Sequence, residues 1–159
     1  MADLKRKGDL AELMVAADLV RQGHRVALPY GEDWAADLIV ERGGRLERVQ
    51  VKHTVERDGV LVVRARTQSL TGGRVLAVKR YTAADIDWLA AWDAGSGACF
   101  YVPAAELGAG MHMLTLRTRP ARNNQRRGIR LAADYRVMPM EPDGIEPTTS
   151  SVQGKRSPS

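Results

Sequence analysis

The chain of 159 residues holds one cysteine and one phenylalanine, and only 5% of it is aromatic. A lone Cys99 excludes an internal disulfide and cannot by itself supply the thiolates of a zinc cage. It reads as a small apolar filler between Ala98 and Phe100. Long apolar runs are also missing, since none approaches the ~18 residues that a membrane helix needs. No signal-peptide core follows the charged opening Asp3, Lys5, Arg6, Lys7 and Asp9. These absences predict a cytoplasmic protein with no membrane partner. The three histidines, at 24, 53 and 112, are scattered without metal-ligand spacing. Acids are missing from one stretch: Arg117 to Arg130 contains six arginines (117, 119, 122, 126, 127 and 130) and no acid. Such a segment repels itself unless counterions or phosphates neutralise it.

What is present suits one domain with a real core. Apolar residues make up 44% and charged ones 27%. The balance of 24 Lys and Arg against 19 acids gives +5 and a pI near 9.7, which is compatible with a polyanionic partner. Helical spacing of Leu10, Leu13, Met14, Ala17 and Val20 predicts a helix over 4–22, closed by Gly23. A second apolar stripe, Ala11, Val15, Ala16 and Leu19, predicts cover on more than one side. Strands are expected at 25–28, 36–41, 46–52, 60–66, 98–102 and 112–117. Gly43-Gly44 marks a hairpin between the second and third of them. The polar stretch 68–74 reads as a loop. Thr82 with Asp85 reads as a capping box opening a second helix through Ile86, Trp88, Leu89 and Trp92. From 138 onward, prolines, serines and threonines predict a disordered tail over 138–159, leaving 1–137 as the domain.

The hairpin carries the most information. If Gly43 and Gly44 form the turn, paired positions sum to 87, which sets Asp37 opposite Gln50. Lys52 then projects from the same face as Gln50, while Leu38, Val40, Val49 and Val51 point to a core. Glu12 lies in the apolar run LAELMVAADL, where a carboxylate is costly without a partner or cation, and Gly8 leaves space one turn before it. If the helix packs across the sheet, Glu12 joins Asp37 around a hard cation such as Mg²⁺. Lys52 beside that cation would orient a water and offset charge on a phosphate.

These segments, KGDLAE, DLIVE, the glycine turn and RVQVK, resemble the PD-(D/E)xK nuclease core, whose usual order is αβββαβ. The likeness runs through YTAADIDWLA, ACFYVPAAEL and NNQRRGIRLAADY, roughly residues 5 to 137. It is strongest toward the bacterial branch that contains a group I intron-encoded homing endonuclease with a Q-x-K ending. The resemblance implies a restriction-endonuclease-like α/β fold with a central mixed sheet. It also implies metal ligands at Glu12, Asp37 and the Val51 carbonyl, Gln50 at the position of the second acid, and Lys52 as the catalytic lysine. Mg²⁺ is the implied cofactor, with Mn²⁺ as substitute. Ala36 stands where the motif name has proline. Gln50 brings an amide oxygen but no charge, which lowers metal affinity.

Arg119, Arg122, Asn123, Asn124, Gln125, Arg126 and Arg127 combine charge with amides, the side chains that hold phosphate and read base edges in duplex DNA. One site cuts one strand, so a double-strand break implies a homo-oligomer, a dimer or, by the resemblance, a tetramer. Gly144-Ile145-Glu146-Pro147 can be encoded by the reverse complement of a transfer-RNA T-arm, which suits a reading frame borne by an intron. Two other readings accommodate the same residues. One is a Holliday-junction or repair nuclease that prefers branched DNA. The other is a non-catalytic DNA-binding module whose Gln50 marks a decayed site.

Overall fold

The computed structural model describes residues 2–71, 74–120, 123 and 127–141. Helix α1 (Ala2–Arg21) leads into β1 (Arg25–Ala27) and β2 (Leu38–Arg42), and β2 turns into the long β3 (Arg45–Thr54). Then follow β4 (Val60–Arg64), β5 (Arg66–Thr71), β6 (Arg74–Arg80), β7 (Trp88–Asp93), β8 (Cys99–Pro103) and β9 (Met113–Arg117). Short 3₁₀ turns stand at Ala104–Leu107 and Ala132–Tyr135.

The central sheet has the order β1-β2-β3-β7-β8. Only β3 and β7 run parallel, so the sheet is mixed, as the resemblance implied. Gly43 and Gly44 take φ of 52° and 78°, the left-handed pair that a two-residue hairpin turn demands. They pin Arg42 opposite Arg45 and carry the pairing to Leu38 opposite Val49, the register that the turn arithmetic predicts. Alternation along β3 separates two cores. Val49 and Val51 join Leu38, Val40, Trp88 and Tyr101 under Ala11, Val15 and Leu19 of α1. On the other face Leu89, Ala91, Phe100 and Val102 pack against Leu61, Val63, Leu114 and Leu116 of the β4–β9 pair.

Several expectations are corrected. No second helix forms over 82–92. The capping contacts exist, with Thr82 N–H donating to Asp85 Oδ2 at 3.0 Å and Ala84 N–H to Thr82 Oγ1 at 3.2 Å. They close a single turn, after which Trp88–Asp93 is a strand buried at every position. A fully buried apolar run carries no periodicity that separates helix from strand, and parallel pairing with β3 decides it. Within the expected loop 68–74, residues 68–71 and 74 are likewise strand, in β5 and β6, which pair as a separate two-stranded ribbon. Of the two α1 stripes only the second, Ala11, Val15 and Leu19, is buried, whereas Leu10, Leu13, Ala17 and Val20 of the first are exposed.

Beyond 137 the packed chain continues. Met138 is buried in the α1 core, and the Arg42 guanidinium donates to the Pro139 and Glu141 carbonyls at 2.6 and 2.7 Å. Arg42 is itself buried, paired with Glu47 at 2.6 Å and stacked 4.8 Å from the Trp88 ring. The remainder of the expected tail, including residues 144–147, lies outside the described residues.

Candidate active site

The site forms where β2 stops short of β3. Asp37 stands one residue before β2, its N–H held by the Val49 carbonyl at 2.9 Å. The next rung on β3, Val51, therefore has no strand residue facing it from β2, and the Asp37 side chain takes that place. Asp37 Oδ2 accepts the Val51 N–H at 2.9 Å and Gln50 Nε2 at 2.5 Å. The N–H and C=O of a residue in an antiparallel ladder point at the same neighbour, so the Val51 carbonyl is aimed into this gap too. Gln50 Nε2 approaches it at 3.2 Å.

Lys52 projects from the same face as Gln50, into the side covered by the β4–β9 pair. Its Nζ donates to the Arg66 carbonyl at 3.2 Å and lies 5.3 Å from the centre of the Tyr81 ring. Burial pushes the Lys52 ammonium below its usual range, with the Asp37 charge opposing and Arg64 adding to the effect. Burial likewise raises Asp37, outweighing the Val51 N–H and Lys52, which both lower it. Desolvation thus dominates attraction on both members of this pair.

Glu12 comes from α1, which covers the opposite face of the sheet, and lies near enough to the end of β2 to feel the Asp37 charge. Its carboxyl is pushed up to about 7, first by burial, then by the negative charges of Asp37 and Asp9. A Cβ added at Gly8 would meet nothing within 4 Å, so the helix leaves open space one turn before Glu12. Two carboxylates, Glu12 destabilised by the Asp37 charge, and the Val51 carbonyl aimed into the gap form a set of hard donors, with the Gln50 amide turned to them through its Nε2. That set fits a divalent cation of the Mg²⁺ kind. Among the described residues there is no cluster of three or more His, Cys, Asp or Glu side chains that could hold a metal ion, so the two carboxylates here would need backbone and water oxygens to complete a shell.

The structure thus gathers Glu12, Asp37, Gln50, Val51 and Lys52. It does not bring the basic segment to them. Arg117 pairs with Val60, at the far end of the β4–β9 ladder from Arg64 and Met113, about 13 Å away at strand rise. Arg130 is committed to Glu106 at 2.9 Å, and Tyr135 donates to the same carboxylate at 2.8 Å. Arg119 and Arg127 are exposed, as is Asn123. Arg122, Asn124, Gln125 and Arg126 lie outside the described residues. Sequence reasoning missed Tyr81 and the Arg66 carbonyl, the groups that hold Lys52. A carbonyl leaves no trace in side-chain patterns, but a lone tyrosine in an acid-free run was visible.

A family model described as PD-(D/E)XK endonuclease matches residues 2–138, and the chain belongs to that family. Among solved structures it is similar to one titled as the structure of a bacterial homing endonuclease, I-Ssp6803I. The TM-score is 0.66 at 24% identity, over 83% of this chain and 87% of that one. That likeness shows a shared restriction-endonuclease-like fold. No curated protein matches the chain.

Proposed function

We propose that this member of the endonuclease family is a Mg²⁺-dependent, homing-type enzyme that hydrolyses phosphodiester bonds in both strands of a specific DNA site. The observation that carries the reading is the gap at the end of β2, where Asp37, Gln50 and the Val51 carbonyl meet Glu12 and Lys52. Glu12, Asp37 and the Val51 carbonyl would hold the metal, with the Gln50 amide beside them. A bound divalent ion supplies a Lewis acid and a water of lowered pKa. Gln50 fixes the Asp37 carboxylate through its Nε2 donor. Lys52, desolvated and anchored on Arg66 and Tyr81, presents its ammonium to the scissile phosphate and to the water that attacks it. One site serves one strand, so double-strand cleavage requires at least two copies of the chain. The family's substrate class and the acid-free segments support DNA as the partner.

Homing against junction resolution is tested on three substrates: linear DNA carrying intronless transfer-RNA genes, random-sequence duplex, and a four-way junction. Mg²⁺-dependent cutting at one mapped position in the first supports the reading. Preference for the junction overturns it in favour of a resolving nuclease. Binding without product in any metal favours the non-catalytic module.

A further inference from the structure

Between Asp58 and Asp85 the chain carries five cations, Arg64, Arg66, Arg74, Lys79 and Arg80, and no acid. Four of them lie on the β5–β6 ribbon, which joins neither the central sheet nor the β4–β9 pair. Its described side chains are exposed at Thr67, Gln68, Arg74, Val75 and from Ala77 to Arg80. Val75 is 53% and Val78 42% exposed. A two-stranded ribbon on its own has little core to hold it, and the described side chains of this one, Arg66 apart, face solvent.

The register sorts its side chains. Arg66 pairs with Arg80 and Gln68 with Val78, which sets these four on one face, while Thr67, Lys79 and Ala77 lie on the other. The second face is tied to the body, with Lys79 meeting Asp85 at 2.9 Å and Thr67 bonded to Tyr81. The first face holds two guanidiniums flanking an amide and an apolar side chain. The root of the ribbon is the site itself, since Lys52 Nζ donates to the Arg66 carbonyl.

Resting on the nuclease reading above, we propose that the β5–β6 ribbon enters the major groove of duplex DNA beside the phosphate held at Lys52. Arg66 and Arg80 contact the backbone from the first face, Arg74 reaches it from the far end of the ribbon, and Gln68 and Val78 lie against base edges. The dimensions fit, because a major groove about 12 Å wide admits a two-stranded ribbon. Six strand residues span about 20 Å, or about six base-pair steps from the scissile phosphate. The chemistry fits as well. Arginine holds phosphate or guanine, glutamine is bidentate on adenine, and an apolar group meets the thymine methyl. The ribbon adjoins the site, whereas the Arg117–Arg130 segment starts at the other end of the β4–β9 pair.

The test measures binding of the full chain to a random-sequence duplex of about 60 base pairs, with Ca²⁺ replacing Mg²⁺, across a series of salt concentrations. A triple variant, Arg66→Ser, Arg74→Ser and Arg80→Ser, is compared with Arg6→Ser, Arg21→Ser and Arg25→Ser on the α1 and β1 side. The ribbon variant is expected to bind at least ~10-fold more weakly, and its slope of log affinity against log salt should fall by about 2–3. The second triple should keep the wild-type slope. Equal loss in both variants, or a ribbon variant within twofold of wild type, overturns the proposal. Arg74→Ser alone, at the end of the ribbon farthest from Lys52, should lower the slope by about 1 even if the triple variant fails to fold. A wild-type chain that binds no duplex at all sinks the nuclease reading and the ribbon with it. Tight wild-type binding with an indifferent ribbon sinks the ribbon alone.

Discussion

Glu12 is a carboxyl whose folded environment favours the proton. Its pKa rises from 4.5 to about 7 through burial and the neighbouring acids. In the absence of metal the folded chain therefore binds a proton that the unfolded chain releases between those values. This contribution to stability is full below pH 4.5 and is lost as the pH rises through about 7. Removing the titration should flatten the dependence. In EDTA, Glu12→Gln is expected to show a shallower fall in urea midpoint from pH 5 to 8 and to exceed wild type at pH 8. Parallel curves for the two proteins would contradict the assignment of that proton to Glu12. Glu12 was legible because a carboxylate inside an apolar helical run is an anomaly on sequence grounds alone. Its nearness to Asp37, from the opposite face of the sheet, was not, because it depends on where β2 stops.

At the scale of elements, the hairpin shows how far local rules reach. Two glycines with left-handed φ fixed the register, and the register put Asp37 beside Gln50. Gly44 and Gly8 make a controlled pair, since an added Cβ meets nothing within 4 Å at either place. Only the backbone differs: Gly44 has φ of 78°, while Gly8 lies within α1. Gly44→Ala should therefore destabilise the chain by about 1 kcal/mol, because L residues resist the left-handed region. Gly8→Ala should stabilise it by about 0.5–1 kcal/mol, because it limits the unfolded chain and favours helix. Chemical denaturation reads both, and shifts of the same sign would contradict the conformational argument. The elements that sequence reasoning misread failed for identifiable reasons. Trp88–Trp92 is apolar throughout, so its parallel partner β3, far away in sequence, selects strand over helix. The described side chains of the β5–β6 ribbon are exposed on both faces apart from a half-buried Arg66, so they impose no alternation of apolar and polar residues.

For the whole molecule, the central sheet separates two cores and leaves the candidate site groups on the seam between them. α1 supplies Glu12 from one side, and the crossover from β3 to β7 supplies Arg66 and Tyr81 from the other. Mixed α/β architecture and the Asp37–Gln50–Lys52 cluster followed from turn chemistry and alternation, both local. What closes around Lys52 required long-range packing. The most direct test of the account incubates folded wild-type protein, Lys52→Ala and Asp37→Asn with supercoiled plasmid and transfer-RNA-gene DNA, in Mg²⁺ and in EDTA. Wild type is predicted to nick or linearise DNA only with metal, and each variant to lose at least ~100-fold of that rate. Cleavage by the variants at the wild-type rate, or cleavage unaffected by EDTA, would contradict a metal-dependent site built on Asp37 and Lys52.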